Sequence, residues 1–172
     1  MRDAILTASV ETVVDYGLND WTVEEVANKA RCAKGLVNYH YRSKSELLNQ
    51  TAEAIAFNRQ ARRLAAIGLD SGTSVLDNLW AAITTEVRSG WFAAWLSFVA
   101  RERDLSEPRL ELPEFGVQLR SALTRALGLA TDVLPEPLVL TAMLDGIAIR
   151  LLLGESDERV KEAYHRLWLG AL

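Results

Sequence analysis

Helix-forming segments separated by short breaks dominate this sequence and limit what it can fold into. Stretches of roughly 12 to 20 residues repeat apolar side chains with the 3.6-residue period of an amphipathic helix, and alternating strand patterns are almost absent. Gly, Pro and Ser/Asp clusters interrupt these stretches near residues 17, 68–74, 90, 108–113, 128–137 and 154–157. The pattern predicts an all-α protein of about nine helices.

The composition favours a core-forming domain rather than a membrane protein. The chain has 172 residues, 49% of them hydrophobic, which is enough for one or two small domains. Its longest apolar run, residues 138–153, is broken by Thr141, Asp145 and Arg150 and would reach only about 24 Å as a helix. Because the first residues show no leader pattern either, we expect a cytoplasmic protein without membrane contact.

Side chains that would carry catalysis or hold a metal are scarce. The single cysteine, Cys32, excludes an internal disulfide and a cysteine-rich metal site, and most simply fills a buried position. The two histidines, His40 and His165, show no metal-ligand spacing, and no nucleophile elbow or glycine-rich phosphate loop occurs. We therefore expect no enzyme activity, no cofactor and no metal.

Two helix-start signals frame a short segment near the N-terminus. Thr22 with Glu25, and Ser43 with Glu46, have the spacing of a capping box, in which each side chain satisfies a backbone N–H at the start of a helix. Between them, a four-residue turn precedes a short predicted helix over residues 34–41. Two short helices across a tight turn predict a helix-turn-helix.

The same segment concentrates positive charge, although the formal net charge of the chain is -4. Within 16 residues that contain no acid lie Lys29, Arg31, Lys34, Arg42 and Lys44, interleaved with Asn38, Tyr39, His40 and Tyr41. A helix that reads DNA needs cations for phosphates and planar polar groups for base edges. The alternative, a solvated surface helix with chance charge, is less favoured because capping boxes frame the segment.

The segment TVEEVANKARCAKGLVNYHYRSKSELL, residues 22–48, resembles the DNA-binding segment of the TetR family of bacterial transcriptional repressors. Further along, WFAAWLSFVARERD and MLDGIAIRLLLGE resemble the regulatory domain of the subgroup that includes the betaine-synthesis repressor. The resemblance implies a helix-turn-helix DNA-binding domain over residues 1–45 and a helical regulatory and dimerisation domain over residues 46–172.

The resemblance also implies which residues meet double-stranded operator DNA. It places at the DNA Thr22, Lys34, Leu36, Asn38, Tyr39, His40 and Lys44, the last on a phosphate. Three positions depart from the family pattern, since Asn38 replaces the usual tyrosine, Ala33 the usual serine cap and Arg31 the usual turn glycine. The asparagine lacks the phosphate-reaching hydroxyl of the usual tyrosine but has a side chain suited to adenine.

Two C-terminal helices carry more apolar surface than a monomer of this size would bury. The predicted helix over residues 137–153 is apolar nearly all round, and the helix that begins at Ser156 has one apolar stripe. In the family these helices pair with their copies in a homodimer, which implies an interface of Leu144, Gly146, Ile149, Leu152, Tyr164 and Trp168. The alternative is a purely intramolecular core.

An aromatic set in the middle of the chain raises the question of a ligand. The residues that would line an apolar cavity are Trp80, Trp91, Trp95, Phe98, Phe115 and Met143, with polar anchors from Glu86, Glu102, Asp145 and Arg150. Aromatic faces with nearby acids attract cationic molecules, so a quaternary or otherwise cationic small-molecule inducer is one expectation. The alternative is that these aromatic residues are only core.

Together these patterns predict a dimeric transcriptional regulator, a repressor that a small-molecule inducer releases from a palindromic operator. The rival interpretation is a helical protein-interaction adaptor without specific DNA binding. Binding to upstream DNA in a gel-shift assay separates the two.

Overall fold

The computed structural model describes residues 1–68, 71–101 and 113–169, and all of their regular secondary structure is helical. The helices in these ranges are α1 (Arg2–Tyr16), α2 (Val23–Lys29), α3 (Lys34–His40), α4 (Lys44–Ile67), α5 (Ser74–Arg88), α6 (Trp91–Val99), α7 (Pro113–Leu127), α8 (Pro137–Leu152) and α9 (Asp157–Leu169). The all-α prediction is therefore confirmed. No helix in the described ranges is both long enough and apolar enough to traverse a bilayer.

Local caps fix where the N-terminal helices begin. The Thr22 hydroxyl accepts a hydrogen bond from the backbone N–H of Glu25 at 3.1 Å, and the Ser43 hydroxyl accepts one from Glu46 at 3.0 Å. The Glu46 carboxylate accepts from the backbone N–H of Arg42, one residue before the position that an ideal capping box would use. Each cap contributes about 1 kcal/mol to its helix.

Packing divides the chain into two compact units. The first contains Met1–Asn58 together with α6, and the second contains Arg59–Arg88 together with α7, α8 and α9. Helix α4 contributes its first part to one unit and its second part to the other. The division of function at residue 45 stays a prediction, because this grouping reports packing alone.

The first unit is built around α1. Apolar side chains of α6, among them Phe92 and Phe98, are fully buried, and α6 packs on α1. A buried polar group joins three segments of the unit: Ser9 lies 2.6 Å from the Thr51 hydroxyl and accepts a hydrogen bond from the Trp21 indole at 2.9 Å. Because these polar groups are paired, their burial carries little penalty and fixes Trp21 beside α1 and α4.

The second unit packs α8 against its neighbours α5, α7 and α9. The ring of Trp80 on α5 lies 5.4 Å from that of Tyr164 on α9, whose hydroxyl donates to the Leu76 carbonyl at 2.8 Å. Burial raises the pKa of the Tyr164 phenol, so it stays a neutral donor. This contact ties α9 to α5 through both apolar area and a satisfied polar group.

Candidate nucleic-acid interface

Helix α3 is anchored by one apolar side chain and presents polar ones outward. Val37 is 1% exposed and packs toward α1 and α2, whereas Tyr39 is 81% exposed. The predicted DNA-binding residues of this helix divide into exposed Lys34, Asn38 and Tyr39 and half-buried Leu36 and His40. The outward set offers a cation, an amide and a phenol on one short helix, which is the chemistry that groove recognition requires.

The basic side chains around α3 are not equivalent. Lys29 pairs with Asp15 and lies 5.2 Å from the centre of the Tyr16 ring, and the hydrogen bond to Asp15 raises the pKa of its ammonium group. Lys34 is only loosely paired, with its Nζ 3.8 Å from a carboxylate oxygen of the exposed Glu24. Lys29 is thus held within the fold, and Lys34 remains available to DNA.

Two predicted DNA contacts lie at the starts of helices. Thr22 is exposed, although its hydroxyl already caps α2. Lys44 begins α4, is exposed, and holds its Nζ 5.3 Å from the centre of the Trp21 ring. A helix N-terminus favours anions, so Lys44 and the start of α4 together suit a phosphate.

Tyr41 belongs to the core rather than to the reading surface suggested by its place in the basic and aromatic segment. It is 2% exposed, and its hydroxyl donates to the Arg2 carbonyl at 3.2 Å. The Arg2 guanidinium lies 5.2 Å from the centre of its ring. Tyr41 therefore secures the end of α3 and does not contact bases.

The turn between α2 and α3 contains a strained residue. Arg31 has φ of 52°. Its N–H donates to the Asn28 carbonyl, and the N–H of Cys32 donates to the Ala27 carbonyl at 3.0 Å. These two bonds form a Schellman motif, whose left-handed position normally holds glycine, and a side chain there costs roughly 1 kcal/mol. The family's usual turn glycine thus corresponds here to an arginine that keeps the glycine conformation.

Comparisons with known proteins agree with this geometry. Residues 5–51, which include most of α1, all of α2 and α3 and the start of α4, match the family model of bacterial regulatory proteins of the tetR family. These residues form a TetR-family DNA-binding segment.

Relatives extend the likeness beyond the matched segment. It is 27% identical over 157 residues to the HTH-type transcriptional regulator BetI of Agrobacterium fabrum, covering 87% of this chain and 75% of that protein. It is also 27% identical over 166 residues to BetI of Escherichia coli O45:K1, covering 86% and 85%. These relatives are named transcriptional regulators, which confirms both the predicted relation to the betaine-synthesis repressor subgroup and the prediction of a regulator rather than an enzyme.

Solved structures share the fold over nearly the whole chain. The multidrug binding protein EbrR, solved with imidazole, superimposes with a TM-score of 0.66 at 22% identity, covering 96% of this chain and 93% of that one. A TetR family transcription regulator from Marinobacter aquaeolei VT8 gives 0.62 at 22% identity, covering 98% and 94%.

Helix α8 leaves an apolar face open. The exposed apolar residues of α8 and the residue after it are Leu138, Val139, Ile149, Leu152 and Leu153. A Cβ added at Gly146 would meet no heavy atom within 4 Å. The other predicted interface residues, Leu144, Tyr164 and Trp168, are buried within the second unit, so they fill its core and leave no surface for a second chain.

The predicted aromatic pocket residues belong to both units. Trp91, Trp95 and Phe98 lie in the first unit, and Trp80, Phe115 and Met143 lie in the second. In the first unit Trp95 stacks near Phe92 at 5.6 Å, and in the second Trp80 and Phe115 are buried. A cleft of about 540 Å³ in the second unit is lined by residues of α7 and its connection to α8, none of them from this aromatic set.

A buried group of four charges, here called the charge cluster, is the feature of the second unit that sequence reasoning missed. Arg59 and Arg63 of α4 pair with Glu86 of α5 and Asp145 of α8. Arg63 Nε lies 3.0 Å from Glu86 and its Nη1 lies 2.9 Å from Asp145, and the side chains of Arg63 and Glu86 are 1% and 2% exposed. The i, i+4 spacing of the arginines on an otherwise apolar face was the available signal.

The charge cluster changes the interpretation of the predicted ligand anchors. Glu86 and Asp145, expected to face a ligand, are instead neutralised by Arg59 and Arg63. Burial and the nearby Arg63 charge lower the pKa of Arg59, although an arginine stays charged. Arg150 is exposed and bonds to Glu155, and Glu102 lies outside the described residues.

Proposed function

We propose that this protein is a TetR-family repressor that binds a near-palindromic operator as a homodimer and is released by a small molecule. The observation that carries the proposal is the face of α3, where Lys34, Asn38 and Tyr39 are exposed around the buried anchor Val37. In a helix-turn-helix this helix enters the major groove, and its polar side chains meet base edges.

The residues of the proposed DNA surface divide into two roles. Lys34 and Lys44 supply charge for phosphates. Thr22, at the start of α2, would lie close to the DNA backbone. Asn38 suits the N6 and N7 edge of adenine, and Tyr39 lies beside it with its ring free of the core. Leu36 and His40, half-buried, complete the surface and favour shape and methyl contacts over charge.

The direct test is a gel shift with DNA from upstream of the protein's own coding region, against a scrambled fragment of equal length. Retarded migration at nanomolar protein that survives excess nonspecific DNA supports the proposal. Equal binding to both fragments, or none, contradicts it. Repeating the assay with quaternary ammonium compounds and neutral apolar molecules tests release, which the multidrug-binding structural neighbour motivates but does not define.

Replacing Lys44 with alanine is expected to weaken binding to every DNA sequence. Each subunit would lose one neutralised phosphate, so the slope of log K against log salt should fall by roughly two units per dimer. Fluorescence anisotropy with labelled operator at several salt concentrations measures the slope. Arg125→Ala, which removes an exposed cation from α7, is the control that should leave the slope unchanged, and an unchanged slope in Lys44→Ala would remove this contact.

Dimerisation is proposed through the open face of α8. Leu138 and Leu152 of α8, and Leu153 just after it, stay exposed although the other side of the helix is buried, and Gly146 leaves room for close approach of a second backbone. A helix that leaves such a face open is stabilised when a copy covers it. Two copies would place their recognition helices about 34 to 36 Å apart for adjacent turns of DNA.

Replacing Leu152 with glutamate is expected to give monomers that no longer bind the operator specifically. A charge in the covered interface would be desolvated without a partner. Light scattering measures the mass, and a gel shift measures binding. Val133→Glu is a matched control, because Val133 is 40% exposed and Leu152 39%, but Val133 lies outside α8 and α9. A Leu152→Glu protein that remains dimeric would exclude this interface.

A further inference from the structure

Arg31 occupies a position where the fold itself favours glycine. Its φ of 52° is the one positive value found for a non-glycine residue in the described part of the chain. The Schellman hydrogen bonds from the N–H of Arg31 to Asn28 and from the N–H of Cys32 to Ala27 hold the backbone there. The backbone of Arg31 therefore cannot adopt an ordinary conformation without breaking the end of α2.

No interaction among the described residues compensates for that strain. Arg31 is exposed, and no hydrogen bond or ion pair joins its guanidinium to a described residue. The remaining intramolecular candidate is attraction to the C-terminal end of α2, but Lys29 already provides a cation in the last turn of that helix. Residues held in rare backbone conformations are often retained because their side chains serve a site.

The position of Arg31 beside α3 indicates that this site is the DNA surface. It lies in the turn that leads into α3, three residues before Lys34, the first residue of that helix. When the N-terminal part of a recognition helix faces the bases, the turn before it borders the phosphates that form the wall of the groove. Resting on the proposed DNA-binding function, we propose that Arg31 is a phosphate contact and that DNA binding maintains an arginine where folding alone would select glycine.

The arginine-to-glycine exchange separates the two effects because they have opposite signs. Arg31→Gly should raise Tm by about 2 to 4 °C, since glycine adopts this conformation without strain. The same variant should weaken operator binding about tenfold or more near physiological salt, and should lower the slope of log K against log salt by roughly two units per dimer. Differential scanning fluorimetry and anisotropy titrations with labelled operator measure the two quantities.

Two further variants test whether the loss of operator affinity results from removing the charge of Arg31. Arg31→Gln keeps the strain and removes the charge, so it should lose affinity without the gain in Tm. Arg31→Lys keeps both and should retain most of the salt slope. An Arg31→Gly protein that binds with wild-type affinity and slope overturns the proposal. So does a fall in its Tm, because the arginine would then be supporting the fold. Failure of the wild-type protein to bind DNA would instead overturn the proposed function.

Discussion

Glu86→Gln is expected to lower the free energy of unfolding by about 3 kcal/mol. Glu86 is 2% exposed and pairs with both Arg59 and Arg63, so removing its charge leaves Asp145 as the one acid of the charge cluster for two buried guanidinium groups. Glutamine keeps the size of the side chain, which confines the change to charge. Urea unfolding followed by tryptophan fluorescence, at one fixed protein concentration, measures the loss.

Two controls show whether burial gives the charge cluster its importance. Asp157→Asn removes the partner of Arg88 in an ion pair that is 47% and 69% exposed, and should cost less than about 1 kcal/mol. Adding Arg63→Met to Glu86→Gln leaves Arg59 and Asp145 as a neutral pair, so the double variant should be more stable than Glu86→Gln alone. A single variant within 1 kcal/mol of the wild type would mean that solvent reaches the charge cluster.

Gly90→Ala is expected to destabilise the first unit by roughly 2 to 3 kcal/mol. Gly90 has φ of 81°, and a Cβ there would lie 2.9 Å from the backbone carbonyl oxygen of Val14. Because that atom belongs to the backbone of α1, it cannot move aside as a side chain would, and α6 would be forced away from α1. Thermal and urea unfolding measure the loss.

Gly128→Ala is the control that separates the cost of the close contact at Gly90 from the cost of a positive φ. Gly128 also has a positive φ, 66°, but no heavy atom lies within 4 Å of the position a Cβ would take. Its cost should be only the conformational one, about 1 kcal/mol. Equal losses in the two variants would show that the approach of Gly90 to α1 contributes nothing.

Helix starts and the helix-turn-helix were within reach of sequence reasoning because their causes are local. The caps at Thr22 and Ser43 each join groups three residues apart, so their spacing is visible in the sequence. The exposure of Asn38 and Tyr39 around Val37 follows from helical periodicity over one short segment. The DNA-binding residues nevertheless stay a proposal, since a face rich in the right side chains does not by itself demonstrate contact.

The pairings between side chains that are distant in the sequence could not be predicted from it. Arg59 and Arg63 lie 86 and 82 positions before Asp145, and no periodicity indicates which acid a buried arginine will find. The same holds for α6, whose aromatic stripe is compatible with either core or pocket from the sequence and which packs on α1 in the first unit.

Local signals in the sequence were enough to establish that this protein is helical, where its N-terminal helices begin and that a basic helix-turn-helix lies near residue 30. These features depend on hydrogen bonds and periodicities that span only a few residues. Three features became visible only in the folded chain: Glu86 and Asp145 are paired with arginines, Leu144, Tyr164 and Trp168 are core, and Arg31 is held in a glycine conformation. The first two depend on which distant segments pack together. The third depends on hydrogen bonds that end α2, which hold the backbone of Arg31 against the preference of its side chain.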